Sequence, residues 1–316
     1  MPITLAQAKT LSQDKLVNQV IDEFMESPLM ASLPFDNTVK PQGGKSLTYV
    51  YNRVTTLPTA DTRAINSEFV AQETVTTQEV VNLKVLGGSF EIDRVIANDE
   101  RQVVEHVSFQ VGQKSKATKA LFHDLLINGD SGVDATEFDG LDKAVTGSST
   151  EIIPGAAIAL DSAANIGTNK EAFLYQLRML IGEMDGVTHL LMNGKMYAVF
   201  QSLADQVVNI RYVRNELGQE VLFYGEAALV KLGYKAGTSN PIIPIGGANG
   251  ETAIYAIRVG MDGVHGVSPD GNSLIEVFLP DMTAPGAVKK GEVEMVAAIA
   301  IKATKSAGVL RKIKVQ

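Results

Sequence analysis

The stretches that decide the fold are residues 46–53, SLTYVYNR, and residues 75–85, VTTQEVVNLKV. Both alternate and are rich in Thr, Tyr and Val, which predicts two β-strands. The segment between them carries Pro58, Asp61 and Arg63 and predicts a long polar tip. A lone hairpin is marginal in water without a packing partner. The pattern therefore predicts a protruding hairpin that a neighbouring copy stabilises; the alternative is two strands inside a mixed sheet.

A long helix is predicted directly after the hairpin, over Asn98–Asn128. Asn98 is a favourable N-cap, and Asp99 and Glu100 suit the positive end of a helix. Its expected length is about 45 Å at ~1.5 Å per residue. Between the hairpin and this helix, Gly87–Gly88 is predicted to break the second strand.

An amphipathic helix is predicted before the hairpin, over Ser12–Glu26. Apolar residues recur on one face at helical spacing. The residues expected to form this stripe and to contact a neighbour are Leu16, Val20, Ile21 and Phe24. The alternative is that the stripe packs on the core of its own subunit.

The second half of the chain has the texture of a regular α/β unit. Thr168–Glu171 has a capping-box pattern and predicts a helix that ends at Gly186. A buried strand over 187–192 and a second helix over 195–206 follow. The later predicted strands are 221–224, 253–259, 274–279, 293–303 and 309–315.

Composition narrows the function classes. The chain has 316 residues, a net charge of −8 and a pI of about 5.1, so it lacks the basic footprint typical of sequence-specific DNA binders. It has no Cys, which excludes disulfides and thiolate metal sites. Signal-peptide and membrane-span patterns are absent from the sequence, which predicts synthesis in a cytoplasm and no membrane partner.

The sequence offers no catalytic constellation. Its histidines, which are His106, His123, His189 and His265, have no metal-binding spacing. Asp262 and His265 are close in sequence but lack a nucleophile, which favours a Gly-rich loop at 261–266. Gly246–Gly250 lacks the context of a phosphate-binding loop. We therefore predict no catalytic, cofactor or metal residues. A small-molecule enzyme on the α/β part is the alternative, and a pocket with several perturbed groups would favour it.

Three stretches carry a resemblance to a known family. They are THLLMNGKMYAVFQSLADQ at 188–206, TAIYAIRVGMDGVHGV at 252–267, and the terminal strands at 293–315. Their order behind the arm, hairpin and long helix resembles the tailed-bacteriophage major capsid proteins with the HK97 fold. The resemblance covers the whole chain and implies an α+β fold with an N-terminal arm, an extended hairpin called the E-loop, a P-domain with a long spine helix, and an α/β A-domain.

The resemblance also implies a division of the chain. In order, it comprises the N-arm at 1–44, the E-loop at 45–96, the P-domain at 97–167 with the spine helix at 98–128, the A-domain at 168–291, and strands at 292–316 that return to the P-domain. Family members that begin with a scaffolding segment later lose it. This chain begins with the arm at Met1, which implies either a separate scaffolding protein or prior removal of such a segment.

The function implied by the resemblance is structural. Copies of the chain would form pentamers and hexamers of an icosahedral shell that encloses dsDNA, within a virion assembled in the bacterial host cytoplasm. A scaffolding protein, a portal and a decoration protein are the implied partners, with weak non-specific contact to packaged DNA. An encapsulin, a nanocompartment that holds cargo enzymes, is the alternative with the same fold.

Two sets of residues are assigned to contacts. The predicted inter-subunit contacts are Leu16, Val20, Ile21, Phe24, Arg53, Asp61, Arg63 and Glu68. A second set comprises basic residues that could contact DNA: Lys302, Lys305, Arg311, Lys312 and Lys314. The favoured alternative is that these side chains form a solvated strand face or make ion pairs between subunits.

Overall fold

The computed structural model describes most of the chain. The described ranges are 28–39, 44–56, 58–93, 100–204, 210–214, 220–246, 250–271, 274–281 and 283–316. The predicted N-terminal helix, with Leu16, Val20, Ile21 and Phe24, and the predicted cap Asn98 lie outside these ranges. The predicted contacts of that helix stay predictions.

Helices and strands are numbered in chain order over the described residues. The α-helices are α1 (Pro28–Ser32), α2 (Glu100–Asn128), α3 (Leu141–Val145), α4 (Ala163–Glu183) and α5 (Gly194–Ala204). The first strands are β1 (Phe35–Asn37), β2 (Thr48–Thr56), β3 (Val75–Asn82), β4 (Lys84–Asp93), β5 (Glu151–Ile152), β6 (Ile158–Ala159) and β7 (His189–Met192). The later strands are β8 (Ile210–Arg214), β9 (Glu220–Tyr224), β10 (Ala227–Lys231), β11 (Glu251–Ile257), β12 (Val264–Ser268), β13 (Glu276–Phe278), β14 (Val288–Ile301) and β15 (Ala307–Lys314).

The larger sheet separates two hydrophobic cores. Its strands follow the order β5-β15-β11-β7-β10-β9-β8, and β6 also pairs with β15. Successive side chains of a strand point to opposite faces. On β7, Leu190 therefore faces the core under α4 and α5, whereas Leu191 faces the core that contains α2. Burial on both faces explains why these strands are almost continuously apolar.

The second sheet packs along the long helix α2. Its strands follow the order β1-β12-β14-β13, and β4 also pairs with β14, from Lys84↔Ala297 to Asp93↔Val288. The buried residues of α2, including Val111 and Phe122, meet this sheet in the first core. The prediction of one long helix that ends at Asn128 is confirmed.

The prediction that Gly87–Gly88 breaks a strand is wrong, because both glycines lie inside β4. The break falls at Leu83, which is buried between β3 and β4. A Cβ on Gly87 would stand 2.1 Å from the carbonyl oxygen of Val293, so close approach of β14 requires glycine there. Residues 84–93 thus pair with the body of the subunit, and only β2 and β3 form the hairpin.

Two further predictions fail for identifiable reasons. Helix α4 begins at Ala163 and not at Thr168, because Ser162 is extended and its Oγ accepts the Asn165 N–H at 3.2 Å. The hydroxyl of Thr168 instead donates to the Ala164 carbonyl at 3.1 Å inside the helix. The loop predicted at 261–266 ends earlier, since His265 lies in β12 between β1 and β14.

Candidate assembly surface

The hairpin of β2 and β3 is a two-stranded sheet of its own. The strands pair antiparallel, with Tyr49 opposite Val81 and Val50 opposite Val80, and among the described residues they join no other strand. The predicted hairpin is therefore confirmed, and the alternative of two strands within a mixed sheet is not observed. Because side chains alternate, this ribbon presents two different faces.

One face of the hairpin is anchored to its own subunit at the base. The Tyr51 hydroxyl donates to the Ile301 carbonyl at 2.8 Å, and Arg53 donates to the carbonyls of Ile301 and Lys302, the latter at 3.2 Å. The Tyr49 hydroxyl donates to Asp36 at 2.7 Å. Burial, followed by this hydrogen bond, raises the pKa of Tyr49, so the phenol stays protonated as a donor. These bonds fix the direction in which the hairpin leaves the body.

The opposite face of the hairpin is mixed and carries three exposed valines. Val50, Val54 and Val80 retain 46%, 49% and 53% of their accessible surface. Val50 and Val80 face each other across the strands, and Val54 lies on the same face beyond the polar pair Asn52 and Gln78. Three half-exposed valines on one face of a ribbon that joins no other strand make this face a candidate interaction surface. We call Val50, Val54 and Val80 the outer valines.

The tip of the hairpin, residues 58–74, is exposed throughout. Its shape depends on local bonds: Arg63 donates to the Ser67 carbonyl at 2.9 Å and lies 5.4 Å from the centre of the Phe69 ring. Ile65 is 92% exposed and Val70 is 79% exposed. The tip thus combines charged and apolar side chains without burying them in its own subunit.

The predicted contact residues fall into two places. Asp61, Arg63 and Glu68 lie on the exposed tip. Arg53 lies at the base, where its guanidinium bonds to carbonyls of its own chain. Its inter-subunit contact stays a prediction, and its observed role is to hold the hairpin. The sequence reasoning missed Tyr49 and Tyr51, although their alternation with Arg53 on β2 was the available signal.

The sheet face away from α2 is acidic. It carries Glu91 on β4, Glu276 on β13, and Glu292 and Glu294 on β14, with Glu276 directly opposite Glu294. Lys290 pairs with Glu292 at 2.5 Å on the same strand. Like charges at opposed positions repel, so this face disfavours contact with DNA phosphates.

Two of the basic residues with a possible DNA contact bind acids of their own subunit. Arg311 lies 2.8 Å from Asp142 and 2.5 Å from Glu151, and Lys314 lies 2.9 Å from Asp161. Carboxylates already occupy both cations, so neither is a ready phosphate ligand. The finding favours ion pairing over DNA contact for these residues.

The described residues do not form a recognisable active site. No group of three or more His, Cys, Asp or Glu among them is placed to hold a metal ion. Burial lowers the pKa of His123, His189 and His265 to about 4 each, so these imidazoles are neutral at pH 7. A cleft of about 220 Å³ lies between the hairpin base and α3, lined by Arg53, Glu79 and others. It lacks a nucleophile–base pair.

Membrane insertion by a helix finds no support in the described part of the chain, where no helix is both long and apolar enough to cross a bilayer.

The architecture is similar to that of several solved shell proteins, although no sequence comparison finds a match. No family model and no curated protein matches the chain. Among solved structures, the SrpI encapsulin complex of Synechococcus elongatus PCC 7942 is similar at 14% identity, with a TM-score of 0.59 over 92% of this chain and 89% of that one. The capsid of a native GTA particle is similar at 11% identity, with a TM-score of 0.57 over 90% and 89%. The capsid of Myoviridae phage XM1 is similar at 12% identity, with a TM-score of 0.55 over 88% and 90%.

The chain has the HK97-like capsid fold. The predicted α+β class and the predicted resemblance are thereby confirmed. Structural similarity at only 11–14% sequence identity establishes the fold alone and does not fix the biological role.

Proposed function

We propose that the chain is the structural subunit of an icosahedral shell that encloses dsDNA, as a bacteriophage major capsid protein does. The observation that carries the proposal is the hairpin, which is anchored by one face and exposes the outer valines on the other. A monomer would leave these three valines about half exposed to water. A second copy that covers them supplies the missing packing partner, and the many similar capsid and encapsulin shells support the same reading.

The proposed division of labour follows the architecture. The N-arm spans 1–44, and the E-loop begins at 45, with its paired strands ending at Asn82. The P-domain comprises 97–167 and the returning strands from 292, built around the spine helix. The A-domain spans 168–291, with its own core under α4 and α5, and would surround the five- and six-fold axes. The pentamers and hexamers of the shell would form from these contacts.

DNA is the proposed content, and the distribution of charge supports a container that would hold DNA without binding it tightly. The net charge is −8, one sheet face is acidic, and Arg311 and Lys314 are already paired with carboxylates. Each phosphate neutralised by a cation would add affinity that resists packaging and release. Scaffolding, portal and decoration proteins are the proposed partners. Assembly would occur in the host cytoplasm, and the subunit would end in the virion.

An encapsulin shell is the second candidate, and it is favoured by the similarity to the SrpI encapsulin at a TM-score of 0.59. The two functions predict different contents. Shells purified from the native host would contain nuclease-protected duplex DNA in the first case and a cargo protein in the second. In both cases the role of the chain is structural.

The test is electron microscopy of the purified chain, alone and with the products of neighbouring genes. Closed shells, rings or tubes are expected. A protein that stays monomeric at every concentration under both conditions would contradict the proposal.

A further inference from the structure

A buried histidine lies beneath the base of the hairpin. His265 on β12 has no accessible surface, and neither of its ring nitrogens makes a hydrogen bond of good geometry among the described residues, although the Gly263 backbone lies near the ring. Buried polar atoms normally have partners, so each exception calls for an explanation. The ring is covered by Tyr49 of β2, with centroids 5.7 Å apart in an edge-to-face arrangement. The hairpin therefore contributes Tyr49 to the cover over this imidazole.

The surroundings of the imidazole suit only its neutral form. Lys302 directly follows β14, and its ammonium lies 5.5 Å from the centre of the Tyr49 ring that contacts His265. Asp36 of β1 is the nearby acid, and it accepts the Tyr49 hydroxyl. Arg53, further along β2, adds a second cation that binds the carbonyls of Ile301 and Lys302. An imidazolium here would be a buried charge beside the Lys302 ammonium, and Asp36, which already accepts the Tyr49 hydroxyl, would offset it only in part.

We propose that His265 is a proton-sensitive latch: when its imidazole takes up one proton, the β2–β3 hairpin is released from the body of its own subunit. The hairpin covers the neutral ring through Tyr49, and lifting Tyr49 exposes the ring to water, where it can carry a charge. The latch acts within one subunit and does not depend on the proposed function. If that function holds, the latch also controls the direction in which the outer valines are presented to a neighbour.

The sign of the effect follows from the two states. Burial, with a smaller contribution from Lys302, lowers the pKa of His265 to about 4 in the docked state, against the opposing effects of Asp36 and the Gly263 backbone. In the released state the ring is hydrated, and its pKa returns to the ordinary value of ~6.5. Because docking lowers the pKa of His265, the imidazole favours the docked hairpin fully at pH values above its released-state pKa of ~6.5. That preference is lost as the pH falls from about 6.5 toward 4.

The size of the effect is set by the difference between the two pKa values. At pH 5 the ratio of docked to released hairpin should be about 30-fold lower than at pH 8. Well below pH 4 the loss would level off at about 300-fold. Measurements down to pH 5 keep most carboxylates ionised, so the response of Asp36 and other acids does not dominate this window.

The experiment is hydrogen–deuterium exchange by mass spectrometry on the unassembled full-length chain at pH 7.5, 6 and 5, corrected for the intrinsic pH dependence of exchange. Peptides that cover β2 and β3 are compared with peptides from β11, a buried strand of the larger sheet. The hairpin peptides should lose protection about 30-fold at pH 5, while the β11 peptides change little. Equal pH dependence of the hairpin and β11 in the wild-type chain would overturn the proposal.

Three variants separate the latch from general acid sensitivity. His265→Phe keeps an aromatic ring against Tyr49 and cannot take up a proton, so its hairpin protection should be independent of pH. Lys302→Met removes the neighbouring cation and should reduce the pH response. His123→Phe is the matched control, because His123 is also buried with a pKa of about 4 but lies in the spine helix; it should respond as the wild type does.

A pH response that survives His265→Phe, or that disappears in His123→Phe, would contradict the proposal. If His265→Phe does not fold, the wild-type profile and Lys302→Met still decide the question. Shells that fail to form would contradict the proposed function and leave these exchange measurements unaffected.

Discussion

The outer valines allow the assembly role of the hairpin to be tested without disturbing its fold. The perturbation is the triple change Val50→Thr, Val54→Thr and Val80→Thr. Threonine has nearly the shape of valine and favours strands, so the hairpin should keep its pairing. The hydroxyls stay solvated in the free subunit, where the three side chains are about half exposed. Each change should alter the free energy of unfolding by at most about 0.5 kcal/mol.

The triple change should weaken assembly more than it weakens folding, because a neighbouring subunit would bury the valine surface that the free subunit leaves exposed. Fully burying a valine stabilises by ~1.5–3 kcal/mol, so the remaining half contributes about 1 kcal/mol per residue. A threonine at the same place must also bury its hydroxyl, which cancels most of that gain. Three such losses amount to about 3 kcal/mol for each hairpin contact. This corresponds to a roughly 100-fold weaker contact.

The assay is the subunit concentration at which shells appear, followed by light scattering and electron microscopy. The triple variant should need a roughly 100-fold higher concentration, with an unchanged melting temperature for the unassembled subunit. Val133→Thr is the control, because Val133 is 85% exposed but lies outside the hairpin. Assembly of the triple variant at the wild-type concentration would refute the reasoning. So would an equal defect in Val133→Thr.

Further expected outcomes concern stability and DNA. Arg311→Met should lower the free energy of unfolding by about 2–4 kcal/mol, because it leaves Glu151, only 11% exposed, without its partner; in chemical denaturation, adding Glu151→Gln should recover part of the loss. Gly266→Ala should cost about 1–3 kcal/mol, because its Cβ would stand 2.3 Å from the Phe35 ring; an unchanged melting temperature would show that the ring moves freely. Dissociated subunits should bind duplex DNA weakly, with binding lost between about 0.05 and 0.2 M salt; tight binding with a steep salt dependence would contradict a passive container.

The long helix was predictable because several local signals agree. The apolar spacing, the acidic first turn and the Asn128–Gly129 stop all indicate one helix, and the structure has it up to Asn128. The start of α4 was not predictable in the same way, because two capping candidates compete within a few residues. Ser162 is the cap because its backbone is extended and Thr168 is already helical. Sequence alone does not rank two such caps.

Strand β12 was missed because its residues are stabilised by tertiary contacts and not by propensity. The sequence around His265 is rich in glycine, which predicts a loop. In the structure the strand lies between β1 and β14, and Gly266 leaves room for the Phe35 ring. Both partners are far away in the chain, so no local pattern reports the pairing. The latch beneath the hairpin was invisible for the same reason, since Tyr49 and His265 meet only after folding.

The two faces of the hairpin perform separate tasks, and this separation explains why a two-stranded ribbon suits assembly. A free ribbon would lose conformational entropy when a neighbour orders it, at roughly 1–2 kcal/mol per backbone residue. Against that cost, a contact of about 3 kcal/mol from the outer valines would be too weak to assemble anything. Tyr51 and Arg53 remove much of the cost in advance, because their bonds to the end of β14 orient the ribbon within its own subunit. Modest contact energy then becomes useful, and the proton uptake proposed for His265 would act on this same anchor.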